Sequence, residues 1–124
     1  MTNREMSRNS IIELKSETGE IVRCRVARTF GSRFMGLMGR ASPATQDGEG
    51  LLISPCNSIH MFFMKFSIDA IFLDRRFRIV KLVRNLAPGK LAGPFKDASQ
   101  VVEVAAGRVP PSFREGVVLS VQNV

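Results

Sequence analysis

Three side chains that could take part in acid–base, nucleophilic or metal chemistry lie in the middle of the chain. Three residues separate Cys56 from His60, the only histidine, and Asp69 follows nine positions after His60. A cysteine, a histidine and a carboxylate can bind zinc or copper, or can form a nucleophile and its general base. This spacing arises easily by chance, and no fourth ligand is evident. We therefore predict no metal and no cofactor, and the simplest interpretation of His60 is a hydrogen-bonding loop residue.

Asp69 lies in a run, Ile68–Leu73, that is otherwise apolar. Side chains alternate along a strand, so Asp69 shares a face with Ile71 and Leu73 and should be at least partly buried. A buried carboxylate must be hydrogen-bonded, paired with a cation, or protonated. Two interpretations stay open. Either Asp69 accepts backbone N–H groups from a neighbouring loop and stabilises the fold, or it is an acid, a base or a ligand in a pocket.

Glu103 is a second carboxylate in an apolar run, Val101–Ala105. Burial of its charge would need a partner, and Lys65, Arg33 and Arg40 are candidates. The sequence makes an ion pair of Glu103 plausible but does not identify the cation.

The charge balance favours anionic partners. Eighteen Lys and Arg residues against eleven Asp and Glu residues give a formal charge of +7, which suits nucleic acid, phosphorylated metabolites or the anionic face of a membrane. The basic residues are dispersed, and the dense group at Arg75, Arg76 and Arg78 is interpreted as a solvated hairpin tip. There is no Trp or Tyr, and the nine Phe lie mostly in apolar runs. Nucleic acid is therefore a possible partner that is not favoured.

Length and composition predict one globular domain. The chain has 124 residues, of which 44% are hydrophobic and 23% charged, enough to form an ordinary core. Residues 1–8 are predicted to be a loose tail and residues 9–124 a single β-rich domain. No apolar run approaches the ~20 residues of a membrane span. The absence of a signal region and the use of only two cysteines predict a cytoplasmic protein, and its oligomeric state stays open.

Short apolar and alternating runs predict about seven strands. Ile11–Leu14 and Ile21–Val26, joined by turn residues, form a predicted hairpin with Cys24 on its buried face. An apolar stripe within Thr29–Arg40 predicts a short helix, and Pro110 could open a helical turn. Further strands are predicted at 50–53, 68–73, 78–86 (with the strand pattern in Ile79–Val83), 100–105 and 117–121, with 87–99 as a long loop that could form an ordered lid. The predicted fold class is mainly β (α+β): a compact, curled or barrel-like, mostly antiparallel sheet with one short helix.

Three stretches, Arg33–Arg40, His60–Asp74 and Val101–Gly107, together resemble a bacterial and archaeal family named domain of unknown function 192. The resemblance extends from about Val22 to Val121. It implies a small single-domain β-rich protein with no established activity. Two departures are Ser67, where many members have proline, and Gly116-Val117, where many have Gly-Asp. By this resemblance the family's characteristic positions are Arg33, Gly36, Leu37, Met38, Arg40, Met64, Lys65, Asp69, Glu103 and Gly107.

Two functions of different class fit these observations. The first is a non-catalytic module that binds a small anionic ligand through Arg40, His60, Lys65 and Asp69, in a pocket between the predicted helix, the 56–66 loop and the Asp69 strand. The second is a hydrolase or transferase in which Asp69 is the general base and His60 or Cys56 its partner. Nonspecific nucleic-acid binding, driven by charge, is a further alternative.

Overall fold

Nine strands make up the secondary structure of the residues that the computed structural model describes, which are 11–27, 50–62 and 64–123. Seven of them form one sheet in the order β6-β5-β8-β3-β2-β1-β9, and β4 and β7 form a separate two-stranded sheet. No helix occurs within those ranges. The strands are β1 (Ile11–Lys15), β2 (Ile21–Ala27), β3 (Gly50–Ile53), β4 (Ile59–His60), β5 (Ile68–Leu73), β6 (Ile79–Leu86), β7 (Leu91–Ala92), β8 (Gln100–Ala105) and β9 (Ser120–Asn123).

The first hairpin follows directly from its sequence. β1 and β2 pair antiparallel, with Leu14 opposite Val22. The turn between them is closed by the Ser16 N–H, which donates to the Glu20 carbonyl at 3.0 Å. Cys24 is completely buried, as its position in the alternating pattern predicts.

One pair in the main sheet is parallel. β2 runs parallel to β3, whereas each other neighbouring pair in the order is antiparallel. Parallel strands cannot be joined by a tight hairpin turn, and residues 28–49 separate β2 from β3 in the sequence. Those residues, with the helix predicted at 29–40, lie outside the described part of the chain, as does the predicted tail at 1–8.

The main sheet curls without closing. The residues just before its two edge strands form an antiparallel bridge between Arg78 and Val118, next to which the Ile79 N–H donates to the Val117 carbonyl at 2.8 Å. Beyond the bridge, the Leu82 N–H of β6 is capped by the Glu115 carboxylate at 3.0 Å. The mainly β, mostly antiparallel and curled fold class is therefore confirmed, and the sheet is not a closed barrel.

Both faces of the central strands are buried, so the domain has two hydrophobic cores. In β5, Ile71 and Leu73 face the inner core, which the curl encloses, while Ala70 and Phe72 face the outer core. Other inner-core residues are Leu14, Cys24, Leu52, Val102, Phe113 and Leu119. Outer-core residues contributed by the covering segments include Ile59, Met61, Ala92 and Ala98. Full burial of each large apolar side chain stabilises the fold by roughly 1.5–3 kcal/mol.

Two connecting segments are more ordered than their compositions indicate. The long loop predicted at 87–99 contains β7, and its Ala92 pairs with Ile59 of β4 to cover the outer core. Pro110 begins a hydrogen-bonded turn, in which its carbonyl accepts the Phe113 N–H at 3.0 Å. The helical turn proposed there does not form. Phe113 enters the inner core instead.

Candidate functional site

Asp69 joins three parts of the fold. Its side chain is 2% exposed, and Oδ1 accepts the Asn85 N–H at 2.8 Å while Oδ2 accepts the Gly107 N–H at 3.0 Å. The Arg84 guanidinium lies 4.0 Å from Oδ2 and is half exposed. Asn85 and Gly107 both have positive φ angles, of 55° and 87°. The carboxylate thus holds the end of β6 and the turn after β8 against β5, as in the first of the two interpretations of its burial.

The three residues first considered as a chemical set are divided between the two faces of the sheet. Asp69 shares its strand face with Ile71 and therefore points toward the inner core. Cys56 packs against the outer core, and its thiol donates to the Ser58 carbonyl at 3.0 Å. His60 is exposed on β4. The described geometry does not bring a thiol, an imidazole and this carboxylate together.

The predicted ligand-binding residues are likewise separated. His60 stacks on Phe62, with ring centroids 4.8 Å apart, and Lys65 is exposed in the turn that follows. Neither lies on the inner-core face that holds Asp69. Arg40 lies outside the described residues.

The residues singled out by the family resemblance have varied surroundings. Met64 is partly buried against the outer core, and Gly107 supplies its N–H to Asp69. Glu103 is 6% exposed on β8, in register with Leu51 on one side and Ala70 on the other. Arg33, Gly36, Leu37 and Met38 lie outside the described residues.

A basic cleft is formed where two turns lie side by side. The turn–turn cleft lies between the β5–β6 turn and the turn before β8, is open to solvent and has a volume of about 470 Å³. The Ser99 N–H donates to the Leu73 carbonyl at 2.8 Å, which fixes the second turn against the end of β5. The lining residues are Asp74, Arg75, Arg76, Lys96, Asp97, Ala98 and Ser99.

Hydrogen bonds to Asp74 hold the backbone of the first turn of this cleft in place. Asp74 Oδ1 accepts the N–H groups of Arg76 at 2.8 Å and Arg78 at 3.0 Å, an arrangement typical of aspartate in turns. The Asp74 carbonyl also accepts the Gln100 side-chain amide at 3.0 Å. These bonds fix the backbone of the turn that carries Arg75 and Arg76.

The cationic side chains of the cleft form no ion pair with a carboxylate of the described residues. Within the described ranges, no carboxylate oxygen lies within 4.0 Å of the charged nitrogens of Arg75, Arg76 or Lys96. Two carboxylates, Asp74 and Asp97, share the lining. The lining therefore contains two arginines and a lysine that are available to pair with an anion, together with two carboxylates that would repel it.

Sequence patterns identified only half of this cleft. The sequence shows Arg75 and Arg76 as part of a basic group, which is interpreted as a solvated hairpin tip. Lys96 belongs to a different turn, twenty positions after Arg76 in the chain. Only the pairing of β5 with β8 brings the two turns together. One signal could have identified the whole cleft. The first turn follows β5 and the second precedes β8, so antiparallel pairing of these strands puts both turns at the same end of the pair.

Two general findings bear on the chemistry. Across residues 11–27, 50–62 and 64–123, no group of three or more His, Cys, Asp and Glu side chains could hold a metal ion. No helix in those ranges is long and apolar enough to cross a membrane.

Comparison with known proteins finds uncharacterised relatives. A UPF0127 protein of Thermococcus sibiricus is 38% identical over 90 residues, covering 68% of this chain and 56% of the relative's length. The UPF0127 protein PH1112 of Pyrococcus horikoshii is 35% identical over 97 residues, covering 75% of this chain and 84% of the relative. The chain thus spans little more than half of the first of these proteins.

Two crystal structures have the same fold. One is a protein of unknown function from Novosphingobium aromaticivorans, with a TM-score of 0.73 and 20% identity, covering 89% of this chain and 83% of that one. The other, from Sinorhizobium meliloti 1021, is provisionally assigned as a transcription regulator and has the same TM-score and identity, with coverages of 90% and 92%.

A family model covers most of the chain. The model for domain of unknown function 192, described as "Uncharacterized ACR", matches residues 11–117, a range that contains the three stretches on which the resemblance was based. The chain therefore belongs to the family of domain of unknown function 192.

Proposed function

We propose that this protein is a non-catalytic module that binds a small anionic ligand in the turn–turn cleft. The observation that carries the proposal is the convergence of Arg75, Arg76 and Lys96 on one open cleft without ion-pair partners among the described residues. Arginine binds carboxylate and phosphate oxygens through paired N–H donors, and lysine adds a compact charge. The Ser99 hydroxyl is a further donor in the lining.

The composition of the cleft limits the ligand. The lining has three cationic side chains and two carboxylates, so it suits a compact anion, such as a phosphate ester or a polycarboxylate, whose oxygens can contact the cations without approaching Asp74 and Asp97. The cleft is open, and hydrogen bonds to charged groups contribute roughly 1.5–3 kcal/mol each before the cost of association. We expect a dissociation constant between about a micromolar and a millimolar.

The predicted alternative of an enzyme built on Asp69 has less support. Both oxygens of that carboxylate already accept backbone N–H groups, and the side chain points away from His60 and Cys56. A cytoplasmic setting is part of the proposal, and it is consistent with the absence of a disulfide between Cys24 and Cys56.

The test is ligand binding by charge-removing variants. Thermal-shift and calorimetric titrations with pyrophosphate, a nucleoside monophosphate and citrate are made on the wild type and on Arg76→Ala and Lys96→Ala. We expect each substitution to weaken binding about tenfold, which corresponds to one lost charge-assisted contact. The matched controls are Arg108→Ala and Lys15→Ala, which remove exposed cations elsewhere and should leave the affinity unchanged.

Three outcomes would overturn this placement. Equal losses in the control variants would mean that general charge, not the cleft, attracts the ligand. A loss in Lys65→Ala with none in Arg76→Ala would move the site to the 56–66 loop, where the sequence first placed it. Binding of oligonucleotides alone, with an affinity falling steeply as salt rises, would favour nonspecific nucleic-acid binding, the further alternative for this chain and its +7 charge.

A further inference from the structure

The small sheet of β4 and β7 presents an apolar patch to solvent. His60 and Leu91 are directly paired across the two strands, and the Phe62 ring lies 4.8 Å from the His60 ring. Leu91 is 65% exposed and Phe62 44% exposed, while their strand neighbours Ile59 and Ala92 are buried in the outer core. We call the outward-facing group of His60, Phe62 and Leu91 the β4–β7 patch.

Exposed lysines lie close in sequence to this patch in both segments that form it. Lys90 precedes Leu91, and its carbonyl accepts the Met61 N–H at 2.8 Å, so its backbone lies beside the residue that precedes Phe62. Lys65 follows Phe62 by three positions, and both lysines are exposed. Neither lysine has an ion pair with another described residue.

From this arrangement we propose that the β4–β7 patch docks on an anionic lipid surface. Phe62 and Leu91 would enter the boundary between headgroups and acyl chains, and Lys65 and Lys90 would lie at the level of the lipid phosphates. Burial of exposed apolar area and attraction of lysine to anionic headgroups are the two contributions that hold proteins at such surfaces. The patch supplies both within a few residues.

The chemistry of the patch favours lipid over other occupants. A single-stranded nucleic acid would stack its bases on aromatic rings, but the most exposed side chain here is the aliphatic Leu91, and the two rings already contact each other. A second copy of the chain, paired patch to patch across a two-fold axis, would bring the lysines of both patches into one contact, where their like charges repel.

The test is sedimentation of the full chain with vesicles of phosphatidylcholine alone and with vesicles that also contain phosphatidylglycerol. We expect binding to the anionic vesicles, weakened about tenfold by Leu91→Ser and by Phe62→Ser. Val121→Ser is the matched control, since Val121 is 42% exposed on the edge strand β9. Lys90→Gln should weaken binding to the anionic vesicles about fivefold. Any residual binding to the neutral vesicles should be the same for Lys90→Gln and the wild type, because those vesicles carry no net charge.

The results that would overturn lipid docking differ from those that would overturn anion binding in the turn–turn cleft. Absence of binding to anionic vesicles overturns the proposal, as does an equal loss in Val121→Ser. If Phe62→Ser instead abolishes binding of a labelled oligothymidine while vesicles remain unbound, the patch is a nucleic-acid surface and the lipid proposal is wrong. Arg76→Ala, which tests the cleft, should leave vesicle binding within a factor of about two if the two surfaces are independent.

Discussion

Substitution of Asp69 by asparagine would remove one of the two acceptors that hold the end of β6 and the turn after β8 against β5. In the native protein Oδ1 and Oδ2 each accept one backbone N–H, at 2.8 and 3.0 Å. Asparagine keeps one acceptor oxygen but places an NH₂ group opposite the other backbone N–H, so two donors face each other. The side chain is nearly completely buried, so water cannot readily replace the lost acceptor.

The expected cost combines two contributions. A hydrogen bond to a charged acceptor contributes roughly 1.5–3 kcal/mol, and a buried donor left without an acceptor costs about 1–3 kcal/mol in desolvation, with overlap between the two. The Arg84 guanidinium adds little, since it is 51% exposed and 4.0 Å away. We therefore expect Asp69→Asn to lower the free energy of unfolding by about 2–4 kcal/mol, or the melting temperature by roughly 6–15 °C.

Urea unfolding followed by circular dichroism measures this directly, with Asp97→Asn as the control. Asp97 is an exposed carboxylate in a turn, and its substitution should change stability by no more than about 0.5 kcal/mol. Asp69→Asn should also keep its affinity for anions under conditions where it is folded. If Asp69→Asn changes the free energy of unfolding no more than Asp97→Asn does, Asp69 does not have a fold-stabilising role. Loss of anion binding by a fully folded Asp69→Asn would restore Asp69 as a site residue.

Two further substitutions test the packing of the covering segments and the sheet edge. Gly93→Ala should destabilise the protein by about 2 kcal/mol more than Gly89→Ala. Both glycines have positive φ angles, but only at Gly93 would an added Cβ meet backbone, since it would lie 2.6 Å from the Asn57 carbonyl oxygen. Equal melting temperatures for the two variants would contradict this close approach. Glu115→Ala should cost about 0.5–1.5 kcal/mol in urea unfolding, because it leaves the Leu82 N–H of the edge strand uncapped, and no change would mean that water replaces the carboxylate fully.

Most strands of the main sheet were predictable because their signals are local, whereas the last strand, predicted at 117–121, lies at Ser120–Asn123. Alternation in Ile21–Val26 identified β2 and the burial of Cys24, and the apolar run Ile68–Leu73 identified β5 together with the burial of Asp69. Those patterns depend only on which side chains can face a core. The donors that Asp69 would use were not identifiable, because Asn85 and Gly107 are brought to it by the pairing of β5 with β6 and β8.

Features that depend on distant segments were not predictable in the same way. β4 and β7 are only two residues long each, too short for a periodic pattern, and they form by pairing across thirty residues to cover the outer core. Phe62 lies in an apolar run and directly follows the buried Met61, yet it is 44% exposed. The turn–turn cleft likewise exists only because β5 and β8 are neighbours.

The central claim, that the turn–turn cleft binds a small anion, is tested most directly by an amide chemical-shift titration with pyrophosphate. Anion binding in the cleft should give saturable shifts concentrated at the backbone N–H groups of 74–78 and 96–99, should leave those of 60–66 unchanged, and should be lost in Arg76→Ala. Shifts confined to 60–66, or small unsaturable shifts spread over every exposed cation, would contradict it.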